Sequence, residues 1–74
     1  MASKITEFAL QESPFIELNK LLKITGVIYS GGEAKMLIRG NEVSVNGEIE
    51  QRLRRKCRPG DIVEVGEYSI HLSK

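Results

Sequence analysis

A chain of 74 residues can hold one domain, taken here as 1–74, and a core that leaves little room for a deep enclosed active site. Hydrophobic and charged contents of 41% and 28% are those of a soluble, folding chain. No apolar run approaches the roughly 18 residues that cross a bilayer, and Met-Ala-Ser-Lys lacks the layout of a signal peptide, so a cytoplasmic location without membrane contact is expected. A net charge of +1 hides an asymmetry, because residues 35–58 hold seven Lys or Arg against three Glu while the segments on either side are each net acidic. That distribution places one positive surface on an acidic body and points to a polyanionic partner.

In chain order, residues 5–10 alternate imperfectly and predict a short edge strand. Ser13-Pro14 reads as a helix start, with Phe15, Leu18, Leu21 and Leu22 at helical spacing and Gly26 as a left-handed stop, which predicts a helix over about 13–25. Ser30-Gly-Gly-Glu33 matches a capping box and opens a second helix, with Ala34, Leu37 and Ile38 on its apolar face and Lys35 and Arg39 together on another. Gly40-Asn41, both tolerant of positive φ, end it. Its glycine-rich start can also receive a phosphate, although Glu33 competes for the same donors.

The period then falls to two. Val43 and Val45 lead into an Asn46-Gly47 turn, and the return strand pairs Val45 with Glu48 in a two-residue loop or with Ile49 in a three-residue loop. Pro59-Gly60-Asp61 is a further turn, and Ile62–Val65 and Tyr68–Leu72 form a second hairpin, with Val63, Val65, Tyr68 and Ile70 on one face. The fold class is α+β: two short helices packed on a small, mostly antiparallel sheet.

Arg52-Leu-Arg-Arg-Lys-Cys-Arg58 holds five cations in seven residues. In an extended strand Arg52, Arg54, Lys56 and Arg58 point one way, about 6 to 7 Å apart, a spacing comparable to successive phosphates. Lys35 and Arg39 are able to join them if the intervening hairpin folds back, whereas Arg55 falls on the opposite phase. The acids nearby are few, so the cations lack counter-charges; a solvated strand that blocks edge pairing is the alternative reading. Cys57 lies among cations that lower a thiol pKa, yet the alternation turns it inward with Leu53. His71, opposite Ile70 and Leu72, is expected to face solvent. With no motif around Cys57 or His71 and no second cysteine for a zinc site, neither an enzyme, a metal nor a cofactor is expected. Aromatic residues are few and none alternates with the arginines, which favours a folded duplex or junction over an unpaired strand. Tyr29 can stack on a base, although packing is the commoner fate of such a residue.

Leu21-Leu-Lys-Ile-Thr-Gly26, Ser30-x-x-x-Ala34-Lys35-x-Leu37-Ile38-Arg39, Val43-x-Val45-Asn46-Gly47 and Pro59-Gly60-Asp61-x-Val63, taken in this order, resemble the RNA-binding domain named after ribosomal small-subunit protein four, the alpha-L motif. The likeness has its core at residues 15–65 and is similar to the stand-alone bacterial members of YbcJ type, which share the Ser-Gly start and a stretch like Glu50-Gln-Arg52-Leu-Arg54. It implies a non-enzymatic module that binds structured RNA, such as ribosomal RNA, a transfer-RNA-like fold or a ribosomal particle; a monomer is the expected state. By position it implies RNA contacts from Ser30, Lys35, Arg39, Arg52, Arg54 and Lys56; Arg55 is added on charge alone. Gly31 stands where the family commonly has arginine, and Asn41 where it commonly has glycine. The alternative function is a protein-interaction adaptor whose basic strand docks an acidic partner.

Overall fold

The computed structural model describes residues 4–74. Its elements are β1 (Lys4–Ala9), β2 (Ile16–Glu17), α1 (Leu18–Ile24), α2 (Gly31–Arg39), β3 (Val43–Val45), β4 (Glu48–Ile49), β5 (Lys56–Cys57), β6 (Ile62–Val65) and β7 (Tyr68–Ser73). Five strands form one sheet in the order β1-β7-β6-β3-β4, antiparallel except where β1 runs parallel to β7. The separate pair β2 and β5 is antiparallel. The two helices and the mostly antiparallel sheet give the α+β class expected from the sequence.

Turn chemistry sets the registers. Asn46 and Gly47 both lie at positive φ, 53° and 86°, the two-residue turn whose twist matches that of the flanking strands. Val45 therefore pairs with Glu48, which resolves the register left open by sequence, and Ile49 pairs with Ser44 and stays exposed. The Asn46 side chain ties the hairpin tip to the next strand: its Nδ2 donates to Asp61 Oδ1 at 3.0 Å and its Oδ1 accepts from the Ile62 N–H at 2.9 Å. In the second hairpin Val65 pairs with Tyr68 and Val63 with Ile70, so these side chains share one face as the alternation predicts.

The first helix departs from expectation. It spans Leu18–Ile24 rather than about 13–25, and Ser13-Pro14 does not start it. Long-range pairing overrides the local signal, because Ile16 and Glu17 are drawn into extended pairing with Cys57 and Lys56. Glu17 makes no side-chain cap; instead the N–H groups of Leu18 and Asn19 donate to the carbonyls of Arg55 and Leu53, at 2.9 and 3.0 Å. The second helix follows its capping box. The Glu33 N–H donates to Ser30 Oγ at 3.2 Å, and the Glu33 carboxylate accepts from the Tyr29 N–H at 2.9 Å. At its far end Gly40 keeps a negative φ and Asn41 takes the left-handed turn at 65°.

Both helices and the large sheet share one core. Leu18, Leu21, Leu22, Ala34 and Ile38 from the helices meet Val43, Val45, Val63 and Ile70 from the strands, all essentially without solvent exposure. Cys57 belongs to this core as expected. Its thiol is pushed up to about 11, mainly by burial and further by Asp61, so the neighbouring cations do not activate it. His71 is half-buried rather than fully solvent-facing, with its Nε2 3.1 Å from Ser69 Oγ.

Candidate functional site

The cationic segment is not the continuous strand that a period-two stripe requires. The chain turns at Leu53-Arg54 and only Lys56-Cys57 is strand. The turn arises because Leu53 and Arg55 supply the carbonyls that cap α1, which fixes the backbone with its acceptors on the helix. The consequence for the side chains is convergence. Arg52, Arg54, Arg55, Lys56 and Arg58 line one open cleft of about 570 Å³, so Arg55, expected on the opposite phase, lies on the same surface as the others.

These cations are held differently. Glu50, only 6% exposed, accepts from the Arg52 N–H at 2.9 Å, from Arg52 Nε at 3.0 Å and Nη2 at 3.2 Å, and from Arg55 Nη1 at 2.9 Å. Hydrogen bonding from the Arg52 side chain holds the Glu50 carboxyl down to about 2, helped by the Arg52 backbone N–H and by Arg55, and outweighs the opposing effect of burial. Arg52 keeps most of its side chain in solvent and Arg55 rather little, 76% against 28%. Lys56 Nζ stands over the Phe15 ring, 5.0 Å from its centre. Arg58 is anchored through its backbone N–H, which donates to Asp61 Oδ2 at 2.9 Å. The guanidinium groups of Arg54 and Arg58 make no ion pair among the described residues, and both residues are exposed.

Arg39 and Gln51 border a second, smaller hollow of about 380 Å³, and Gln51 precedes Arg52 in the chain, so the cationic surface continues onto the end of α2. Gln51 Nε2 also donates to Asn41 Oδ1 at 2.6 Å, tying this segment to the residue that terminates α2. Lys35, one turn before Arg39, is exposed on the same helix face and is not among the five residues that line the cleft. Ser30 does not line the cleft either, and its hydroxyl serves as the helix cap.

Sequence reasoning gave Glu50 no role of its own, counting it among three acids against seven cations and quoting it only within the YbcJ-like stretch 50–54. Arg55 reaches its carboxylate across the turn at Leu53-Arg54, and the signal available was the pair of arginines two and five residues downstream. Tyr29 is the other correction. Packing was its expected fate, yet it is 95% exposed, immediately before the extended Ser30 that caps α2.

The result is a helix-on-sheet domain whose arginine and lysine side chains cluster on one concave surface, fixed by one buried carboxylate and by a helix start, a charge distribution that attracts anions. A family model for the S4 domain matches residues 8–73, and the chain belongs to that family. YbcJ of Escherichia coli (strain K12), provisionally named an RNA-binding protein, is 37% identical over 65 residues, 88% of this chain and 93% of its own length. RlbA of Bacillus subtilis (strain 168), provisionally named a ribosome maturation protein, is 43% identical over 54 residues, 73% of this chain and 76% of its own. The solution structure of YbcJ from E. coli, described as revealing an alpha-L motif involved in RNA binding, superposes with a TM-score of 0.75 at 34% identity. The match covers 100% of this chain and 94% of that one. The resemblance to the S4 family and to its YbcJ-type members is thus supported along almost the whole sequence.

Proposed function

We propose that this chain binds structured RNA, in the setting of ribosomal RNA or a ribosomal particle, through the 52–58 cleft and the Lys35–Arg39 face of α2. The observation that carries the reading is the convergence of five cations on one cleft, with only one buried carboxylate among them to offset their charge. Arginine forks match phosphate oxygens, and a concave cationic surface suits a folded backbone better than a single extended strand. The names of YbcJ and RlbA support RNA and ribosome maturation as the setting, and a cytoplasmic, non-enzymatic role as a monomer is part of the same proposal. Among the described residues no helix is long and apolar enough to cross a membrane.

Arg54→Glu together with Arg58→Glu is the direct test, because neither side chain takes part in an internal ion pair among the described residues. With folding confirmed by circular dichroism, binding of purified ribosomal RNA fragments is measured by fluorescence anisotropy at two salt concentrations. Affinity is expected to fall at least tenfold and the slope of log K against log salt to lessen by about 1.4 to 1.8, from about 0.7 to 0.9 per lost phosphate contact. Unchanged affinity and slope would overturn the assignment of the cleft.

A further inference from the structure

We propose that Tyr29 is a stacking platform for one unpaired nucleobase, so that the RNA taken by this chain carries an unpaired nucleotide beside the stretch whose phosphates the cationic surface holds. The inference rests on the RNA reading above and adds a feature of the ligand that the cleft does not specify.

Three observations support it. The first is exposure: at 95%, Tyr29 is more open to solvent than any other large apolar or aromatic side chain in the described residues. The other aromatics there are all engaged, Phe8 and Phe15 partly buried, Phe15 also under Lys56, and Tyr68 under Lys4 Nζ at 5.3 Å. The second is a fixed base. The Tyr29 N–H is held by the Glu33 carboxylate at 2.9 Å while Ser30 Oγ caps the helix, so the ring projects from a tethered backbone and has only two side-chain torsions to order. The third is access. Tyr29 and Ser30 are followed by two residues without side chains; a Cβ built at Gly31 would meet no atom within 4 Å, and one at Gly32 only Ser30 Oγ at 4.0 Å.

The neighbouring surface suits the same ligand. Met36, 73% exposed, together with Lys35 and Arg39, continues along the outward side of α2, which offers apolar contact and phosphate partners within about three helical turns of the platform. A paired base inside a duplex shows no free face to such a ring, whereas a bulged or looped-out base does, and stacking of this kind tolerates any base.

The experiment uses the full chain and two RNA hairpins that differ only in a single-adenosine bulge, with a third carrying an abasic site at the bulge. Tyr29→Trp introduces the chain's sole tryptophan as a reporter. Its fluorescence is expected to be quenched by the bulged hairpin and not by the paired or abasic ones. The unsubstituted chain is expected to bind the bulged hairpin about tenfold more tightly than the paired one, a factor within the range of one base stacked on one aromatic ring. Tyr29→Ala is expected to erase that preference while its affinity for the paired hairpin stays within twofold. A preference that survives in Tyr29→Ala, or its absence from the unsubstituted chain while both hairpins bind, overturns the role of Tyr29 and leaves the cleft reading standing. Failure of every hairpin to bind overturns both.

Discussion

Substituting Glu50 by Gln is the sharpest test of how the cationic segment is held. The change keeps the shape of the side chain and removes the charge that faces Arg52 and Arg55. Its carboxyl lies at about 2 in the folded chain against an ordinary value of 4.5, a difference that corresponds to about 3 kcal/mol at 1.36 kcal/mol per pH unit. Arg52 is largely in solvent, so screening reduces this to about 1 to 2 kcal/mol. A group whose folded pKa is depressed stabilises fully above its unfolded value, and the effect fades as pH falls through the folded one. Urea and thermal unfolding followed by circular dichroism should therefore show Glu50→Gln less stable than the unsubstituted chain at pH 7. The expected loss of about 1 to 2 kcal/mol corresponds to a fall in Tm of roughly 5 to 12 °C for a domain of this size. The gap should narrow from about pH 4.5 downward and be mostly closed near pH 2. Equal stability at pH 7, or a gap that persists unchanged into acid, would refute the idea that this carboxylate anchors the segment.

Further outcomes follow from other features of the fold. Asn46→Ala loses two side-chain hydrogen bonds to the Asp61-Ile62 turn and places a Cβ-bearing residue without local side-chain bonding at positive φ, so a loss of about 1 to 3 kcal/mol is expected in urea unfolding. Asn46→Gly should recover part of this by relieving the backbone while still lacking the side-chain bonds. Cys57 is fully buried with its thiol at about 11, so a mild thiol reagent should leave the folded chain unlabelled at pH 7 and label it promptly in denaturant; rapid labelling under native conditions would contradict the core placement. Gly26→Ala, at φ 79° with open space around it, should cost about 1 kcal/mol through the backbone alone, because no neighbouring atom resists the methyl group.

Much of the architecture was legible because its signals are local. The Ser30 to Glu33 box, the Asn46-Gly47 turn and the alternation of Ile62–Val65 with Tyr68–Leu72 each depend on neighbours in the chain, and each appears where expected. The start of α1 was not legible, since Ser13-Pro14 offers a sound local cap that loses to pairing with residues about forty positions away. The cationic residues could be picked out individually, but their arrangement could not. It depends on the turn that α1 imposes on Leu53 to Arg55, and a period-two reading of 52–58 had no means of anticipating acceptors demanded by another element. Glu50 was hidden in part for the same reason, because Arg55 reaches its carboxylate only across that turn. The exposure of Tyr29 was not legible either, because hydrophobicity alone does not say which aromatic side chains enter a core.

The same turn explains why a chain this small is able to present five cations without losing its fold. An arginine-rich segment free in solution must surrender backbone and side-chain freedom when it meets RNA, and that ordering weakens affinity for each contact made. Here the ordering is done during folding. Carbonyls of Leu53 and Arg55 satisfy the start of α1, Lys56-Cys57 pair with Ile16-Glu17, Cys57 enters the core, and Glu50 draws two guanidinium groups together against their mutual repulsion. Each of these contacts stabilises the domain on its inner side while leaving N–H groups of the cations on its outer side. Arg52 illustrates the division: Nε and Nη2 are engaged with Glu50, while Nη1 has no partner among the described residues and most of the side chain is in solvent. Stability and the geometry of the cationic surface therefore depend on the same few bonds, and a substitution that releases the 50–57 segment should weaken both together.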